Sequence, residues 1–133
     1  MNREFAPYIE SSELKELEFD EPCLAWFAET KELQIAPETY KKWTSKPCNN
    51  SNIIKIFNVD CITAPTFSQA FRWFRENYDL FGVVEGKGYE HKRYYIYSIN
   101  GKWHPSQPAI DTYEEAELAC LKKLLVLLKS QRS

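Results

Sequence analysis

Thr66-Phe-Ser-Gln69 and Thr112-Tyr-Glu-Glu115 decide the fold of this chain, because each opens an amphipathic run, residues 67–78 and 113–129. A threonine hydroxyl at a helix N-cap accepts from the backbone N–H three residues on, and the Gln or Glu side chain returns the bond. Two helices are thereby placed, and strands fall between them. In the first, Phe67, Ala70, Phe71, Phe74 and Tyr78 follow the 3.6-residue period, while Arg72, Arg75 and Glu76 face elsewhere. Trp73 falls off that stripe and either meets a second layer or is exposed. In the second helix Ala116, Cys120, Leu121, Leu124, Leu125, Leu127 and Leu128 span a broad apolar arc, as burial against a sheet requires.

Between and before these helices the chain reads as strands. Residues 81–85 and 92–99 are the clearest, joined through Gly86-Lys-Gly88, and Asn100-Gly101 is a tight-turn signal leading to a short strand at Lys102-Trp103. Pro105 and Pro108 keep the next segment out of a sheet interior. Toward the N-terminus, residues 23–28 and 33–36 flank the turn Glu29-Thr-Lys-Glu32 and form a hairpin. Ser11 or Ser12 caps a short first helix carrying Leu14 and Leu17, which Pro22 ends. Residues 46–52, Lys-Pro-Cys-Asn-Asn-Ser-Asn, are the most loop-like stretch, and residues 53–62 return to strand composition. The expected architecture is α+β: one domain over residues 1–133, a two-layer sandwich whose mainly antiparallel sheet carries two long amphipathic helices on one face, plus a short N-terminal helix.

Composition bounds the function. The chain has 133 residues, enough for one domain with a sizeable core. Its 44% hydrophobic and 27% charged content is that of a globular protein and argues against disorder. The net charge of −2 argues against a general polyanion binder, although residues 1–32 carry nine acids and three bases and so concentrate the negative charge. No apolar run approaches the ~20 residues of a membrane span, and the N-terminal stretch carries acids and no apolar core, so neither a membrane segment nor a signal peptide is expected. Cys23, Cys48, Cys61 and Cys120 form no CxxC pair, so no metal centre is expected. Free thiols in a reducing cytoplasm are, with Cys23 and Cys120 in apolar runs and Cys48 the most exposed by its surroundings.

No catalytic constellation stands out. His91 and His104 are the two imidazoles able to act as a general base, and a small hydrolase pairing one of them with an acid is the enzyme alternative. Neither has a nucleophile and an orienting carboxylate at a recognised spacing, and Gly82, Gly86, Gly88 and Gly101 match no phosphate-binding loop. No catalytic residue and no cofactor are assigned. The segment from Gly86 to His104 interleaves Lys87, Lys92, Arg93 and Lys102 with Tyr89, Tyr94, Tyr95, Tyr97 and Trp103. On a strand, Arg93, Tyr95 and Tyr97 share one side and Lys92, Tyr94, Ile96 and Ser98 the other. A free face of rings beside cations suits a nucleotide-like molecule or single-stranded nucleic acid. The contact candidates are Lys87, Lys92, Arg93, Tyr95, Tyr97 and Trp103, with Trp73 as an anchor for a protein partner.

Three blocks carry a family resemblance: Leu14-Lys-Glu-Leu-Glu-Phe-Asp-Glu-Pro-Cys23, Ala64-Pro-Thr-Phe-Ser-Gln-Ala-Phe-Arg-Trp-Phe-Arg-Glu76 and Thr112-Tyr-Glu-Glu-Ala-Glu-Leu-Ala-Cys-Leu-Lys-Lys-Leu124. In this order they resemble a family of small proteins of Bacteroides-type gut bacteria and their phages. Glu18 stands where that family usually carries a glycine to end the first helix. The resemblance implies a phage or mobile-element setting inside the cell and transfers no activity. The functional expectation is a non-enzymatic phage- or prophage-type module that binds a host protein or a nucleotide-like ligand stoichiometrically. Nucleic-acid binding through residues 86–104 is the principal alternative.

Overall fold

In the computed structural model, residues 4–35, 49–50, 61–89, 92–103 and 110–132 are described. They fall into two compact units, residues 1–66 and 67–133. The fold is α+β. Each unit has its own three-stranded antiparallel sheet, so the single sheet of the sequence reading is replaced by two. From residue 67 onward the residue numbers of the elements are close to those expected, whereas residues 53–60, expected as strand, lie outside the described residues. Strand pairing is chosen by tertiary contacts that a pattern of alternation does not encode.

The N-terminal unit holds helix α1 (Tyr8–Glu16) and strands β1 (Ala25–Phe27), β2 (Leu33–Ile35) and β3 (Ile62–Ala64), in sheet order β2-β1-β3. Helix α1 begins earlier than Ser11 or Ser12 would place it: Pro7 is the N-cap and supplies no side-chain bond. The ring sets the backbone for a helix start at no cost in lost hydrogen bonds. Ser11 lies inside the helix and its hydroxyl donates to the Ala6 carbonyl at 3.0 Å. The helix ends before Pro22, on Glu18 in the left-handed region at φ 70°. There the Phe19 N–H bonds Leu14 O at 2.9 Å and the Glu18 N–H bonds Lys15 O at 3.0 Å, the two bonds of a Schellman cap. Leu14 and Phe19 are both buried, which supplies the apolar contact that accompanies such a cap.

The turn expected at Glu29–Glu32 forms. Lys31 N–H bonds Ala28 O at 2.8 Å, and Lys31 takes φ 67°, the left-handed residue of a bulged hairpin. Asn50, in the stretch expected to be loop, is buried and joins two elements. Its amide donates to Phe19 O and its side-chain oxygen accepts from the Thr63 N–H, both at 2.9 Å.

The C-terminal unit holds α2 (Phe67–Tyr78), β4 (Gly82–Tyr89), β5 (Lys92–Ile99), β6 (Lys102–Trp103) and α3 (Tyr113–Arg132), with the sheet in order β4-β5-β6. The cap at Thr112 forms as expected, its hydroxyl accepting from the Glu115 N–H at 3.1 Å. Asn100 and Gly101, at φ 54° and 77°, make the tight turn between β5 and β6. Strand β4 runs beyond the expected Glu85 to Tyr89, because its pairing with β5 continues through Gly86 and Gly88 to the hairpin end. Helix α3 packs along β4 and β5, and α2 packs on α3. Among the described residues α3 is the helix that makes the main contact with the sheet. Trp73 is buried, edge-on to Phe74 at 5.0 Å and to Tyr78 at 5.2 Å. No helix among the described residues is long and apolar enough to cross a membrane.

Candidate ligand-binding site at the hairpin end

One close approach fixes which face of the hairpin α3 covers. A Cβ on Gly82 would meet Cys120 Sγ at 2.8 Å and Leu124 Cδ1 at 3.0 Å, so the Gly82 side of β4 faces the helix. Side chains alternate across a strand, and paired residues share a face. The register then puts Gly82, Val84, Gly86 and Gly88 of β4 with Ile99, Tyr97, Tyr95 and Arg93 of β5 on the helix side. Val83, Glu85 and Lys87, with Lys92, Tyr94, Ile96 and Ser98, take the other side. Tyr95 and Tyr97 therefore lie on the side that α3 packs against, which β4 allows because it offers glycines there.

The glycines let rings and helix come close. Tyr95 lies over Gly86, its Cε1 3.3 Å from where a Cβ would stand, and meets Tyr113 of α3 edge-on at 5.9 Å. Further along, burial and then the adjacent Cys120 push the Tyr97 phenol up. Cys120 itself is pushed up to about 12, first by burial and then by Glu117, so its thiol stays protonated and inert. Burial, followed by Glu114 one turn away, raises the Glu117 carboxyl. This stretch of the interface anchors the hairpin.

Toward its end the hairpin opens into a hollow of about 230 Å³ lined by Gly86, Lys87, Gly88, Arg93, Tyr94 and Tyr95. Three candidates from the sequence border it, Arg93 and Tyr95 from the helix side and Lys87 from the opposite side of β4. Lys92 is exposed at the first position of β5, and Tyr97 lies deeper, under α3. Trp103 stands opposite Ser98 in the register, and its side chain lies outside the described set. Trp73 is withdrawn into the helical layer and offers little surface as an anchor. Glu85 reaches Lys87 Nζ at 3.3 Å, both about half exposed, so part of the local positive charge is offset.

The hollow is smaller than the ~300–1,000 Å³ of ordinary ligand pockets, so it admits one ring or one anionic group rather than a large molecule. Glycine backbone gives close access, Tyr95 gives a stacking face, and Arg93 and Lys87 give cations.

Other features fall elsewhere. Two hollows, of about 330 and 500 Å³, border Tyr8 in the N-terminal unit. There the Tyr8 ring meets Phe27 edge-on at 5.5 Å, and Lys31 Nζ sits 5.1 Å from its centroid. The sequence signals the turn that carries Lys31 but not the ring beneath its amine. Cys23, Cys61 and Cys120 are buried and form no disulfide. His91, His104 and Cys48 lie outside the described residues. Among the described residues no group of three or more His, Cys, Asp or Glu is placed to hold a metal ion. Comparison of the chain with protein-family models, with curated proteins and with solved structures finds no match.

Proposed function

We propose that the chain is a non-enzymatic, cytoplasmic binding module of phage or prophage type that acts stoichiometrically, taking a nucleotide-like ligand at the end of the β4–β5 hairpin. The observation that supports this reading is the placing of Arg93 beside the Tyr95 ring at the glycine-lined hollow, with Lys87 bordering it from the other side of β4. Stacking on an aromatic ring contributes roughly 1–3 kcal/mol per base, and a guanidinium beside it recognises a phosphate. The phage setting rests on the three sequence blocks, and the cytoplasmic one on buried thiols that form no disulfide. A host protein as the bound partner is the companion form of this reading, with the hollow receiving one of its side chains.

The test is calorimetric titration of the full chain with adenosine and guanosine mono- and triphosphates, repeated with Arg93→Ala and Tyr95→Phe. Saturable binding at one site, weakened roughly tenfold or more by Arg93→Ala and little by Tyr95→Phe, is the expected result. Equal binding by native chain and Arg93→Ala removes the site from the account.

Nucleic-acid binding is favoured by one observation, the exposure of Lys87, Lys92 and Arg93 along the same hairpin. It predicts affinity for single-stranded oligonucleotides that falls steeply with salt. No shifted complex at low ionic strength would reject it.

A further inference from the structure

Among the described residues strand β4 is an edge: it pairs with β5 alone, and its outer side carries no strand. Which backbone groups face outward follows from the central strand. Tyr95 N–H and C=O are both used by Ile110, at 2.8 and 3.1 Å, on the β6 side of β5. Antiparallel pairs alternate between bonded and non-bonded, so Gly86, opposite Tyr95, turns its N–H and C=O away from β5. The same holds for Gly82, Val84 and Gly88. The bond from Asn100 N–H to Phe81 O, at 2.9 Å, gives the opposite parity for the odd-numbered residues. The open edge therefore presents donors and acceptors at three glycines and one valine, with almost no side chain to shield them.

We infer that this edge is an interface for a second copy of the chain, β4 against β4 in antiparallel register about a two-fold axis at Gly86. What selects this occupant is charge. In that register Glu85 stands opposite the partner's Lys87, and Lys87 opposite the partner's Glu85. Gly86 faces the partner's Gly86, and Val84 faces the partner's Gly88. The outward groups of Val84, Gly86 and Gly88 then fall in bonded pairs, giving about six N–H···O=C bonds. Glu85 and Lys87 already lie on one side of the strand, 3.3 Å apart and half exposed, so pairing completes an alternating square of four charges without moving either to another face. An isologous interface needs a self-complementary patch, and a Glu-Gly-Lys centred on an edge glycine is one. The product is a continuous six-stranded sheet in which neither copy of β4 is left as an unpaired edge.

The experiment uses the full chain in sedimentation equilibrium across a wide concentration series, with far-UV circular dichroism and thermal unfolding to confirm that each variant is folded. The native chain dimerises. Glu85→Lys and Lys87→Glu each set like charges opposite one another and raise the dissociation constant roughly tenfold. Mixing these two single variants restores a heterodimer of near-native affinity, and the double variant E85K/K87E self-associates again. Gly86→Pro, which deletes an outward donor and no bond to β5, weakens the dimer further. A native chain that stays monomeric overturns the inference, as does a dimer that the single reversals leave unchanged or that mixing fails to restore. None of these outcomes depends on a nucleotide-like ligand, so failure here and failure of the ligand reading are separable.

Discussion

Gly82 and Cys120 meet so closely that one added carbon would stand 2.8 Å from the sulfur, and this approach locks α3 onto the hairpin. Gly82→Ala therefore forces the helix away or the side chains off their rotamers, a change that costs about 1–3 kcal/mol. Denaturant unfolding of the single variant and of Gly82→Ala in a Cys120→Ala background checks it. Part of the loss is recovered in the double variant, because the nearest atom has gone, while Leu124 keeps it from full recovery.

Thiol chemistry follows from the same contact. Cys120 is held protonated to about pH 12, against 9.0 for an ordinary thiol. Its folded form is raised above the unfolded one, so its contribution to stability is complete below about pH 9 and is lost as pH rises toward 12. Unfolding free energy falls by ~1.4 kcal/mol per pH unit through that window. Tyr97, raised in the same direction, adds to the decline. Stability against pH, measured for the native chain and for Cys120→Ala, shows a shallower alkaline slope in the variant.

Glu18 ends α1 at φ 70°, a conformation in which any side chain but glycine is strained. Glu18→Gly keeps both bonds of the cap and removes the strain, so a gain of about 1 kcal/mol in stability is expected, read as an increase in Tm. Lys31→Gly, at φ 67°, gives a smaller gain because the amine also rests over Tyr8.

Asn50 satisfies two main-chain groups at once, Phe19 O and Thr63 N–H. Asn50→Ala leaves both without that partner in a buried setting and is expected to cost about 2–3 kcal/mol by chemical denaturation. Thr63→Val is the contrast. Among the described residues its hydroxyl is buried with no hydrogen-bond partner, so the substitution is neutral or stabilising.

A carboxylate on α3 provides a final case. Glu117 is raised by burial and by Glu114, so it opposes folding once it ionises. Glu117→Gln is expected to stabilise the protein at neutral pH and to have little effect in acid, where the native carboxyl is already protonated. Urea unfolding at the two pH values distinguishes this from a simple packing change.

What residue types settle locally was open to reading in the chain: the span of α2, the start of α3 at Thr112, the turn at Asn100-Gly101 and the bounds of β5. These depend on capping, period and turn chemistry, which act over a few residues. Alternation along β5 likewise divided its side chains into two sets, Arg93 with Tyr95 and Tyr97, and Lys92 with Tyr94 and Ile96. Which set the helix would cover was decided only in three dimensions. Gly82 and Gly86 sit on the same side as Tyr95, and their lack of side chains is what allows α3 and the ring to approach. Asn50, Trp73 and the division into two sheets were set at the same level, since hydrogen-bond partners and buried neighbours come from residues far apart in the chain and carry no local mark.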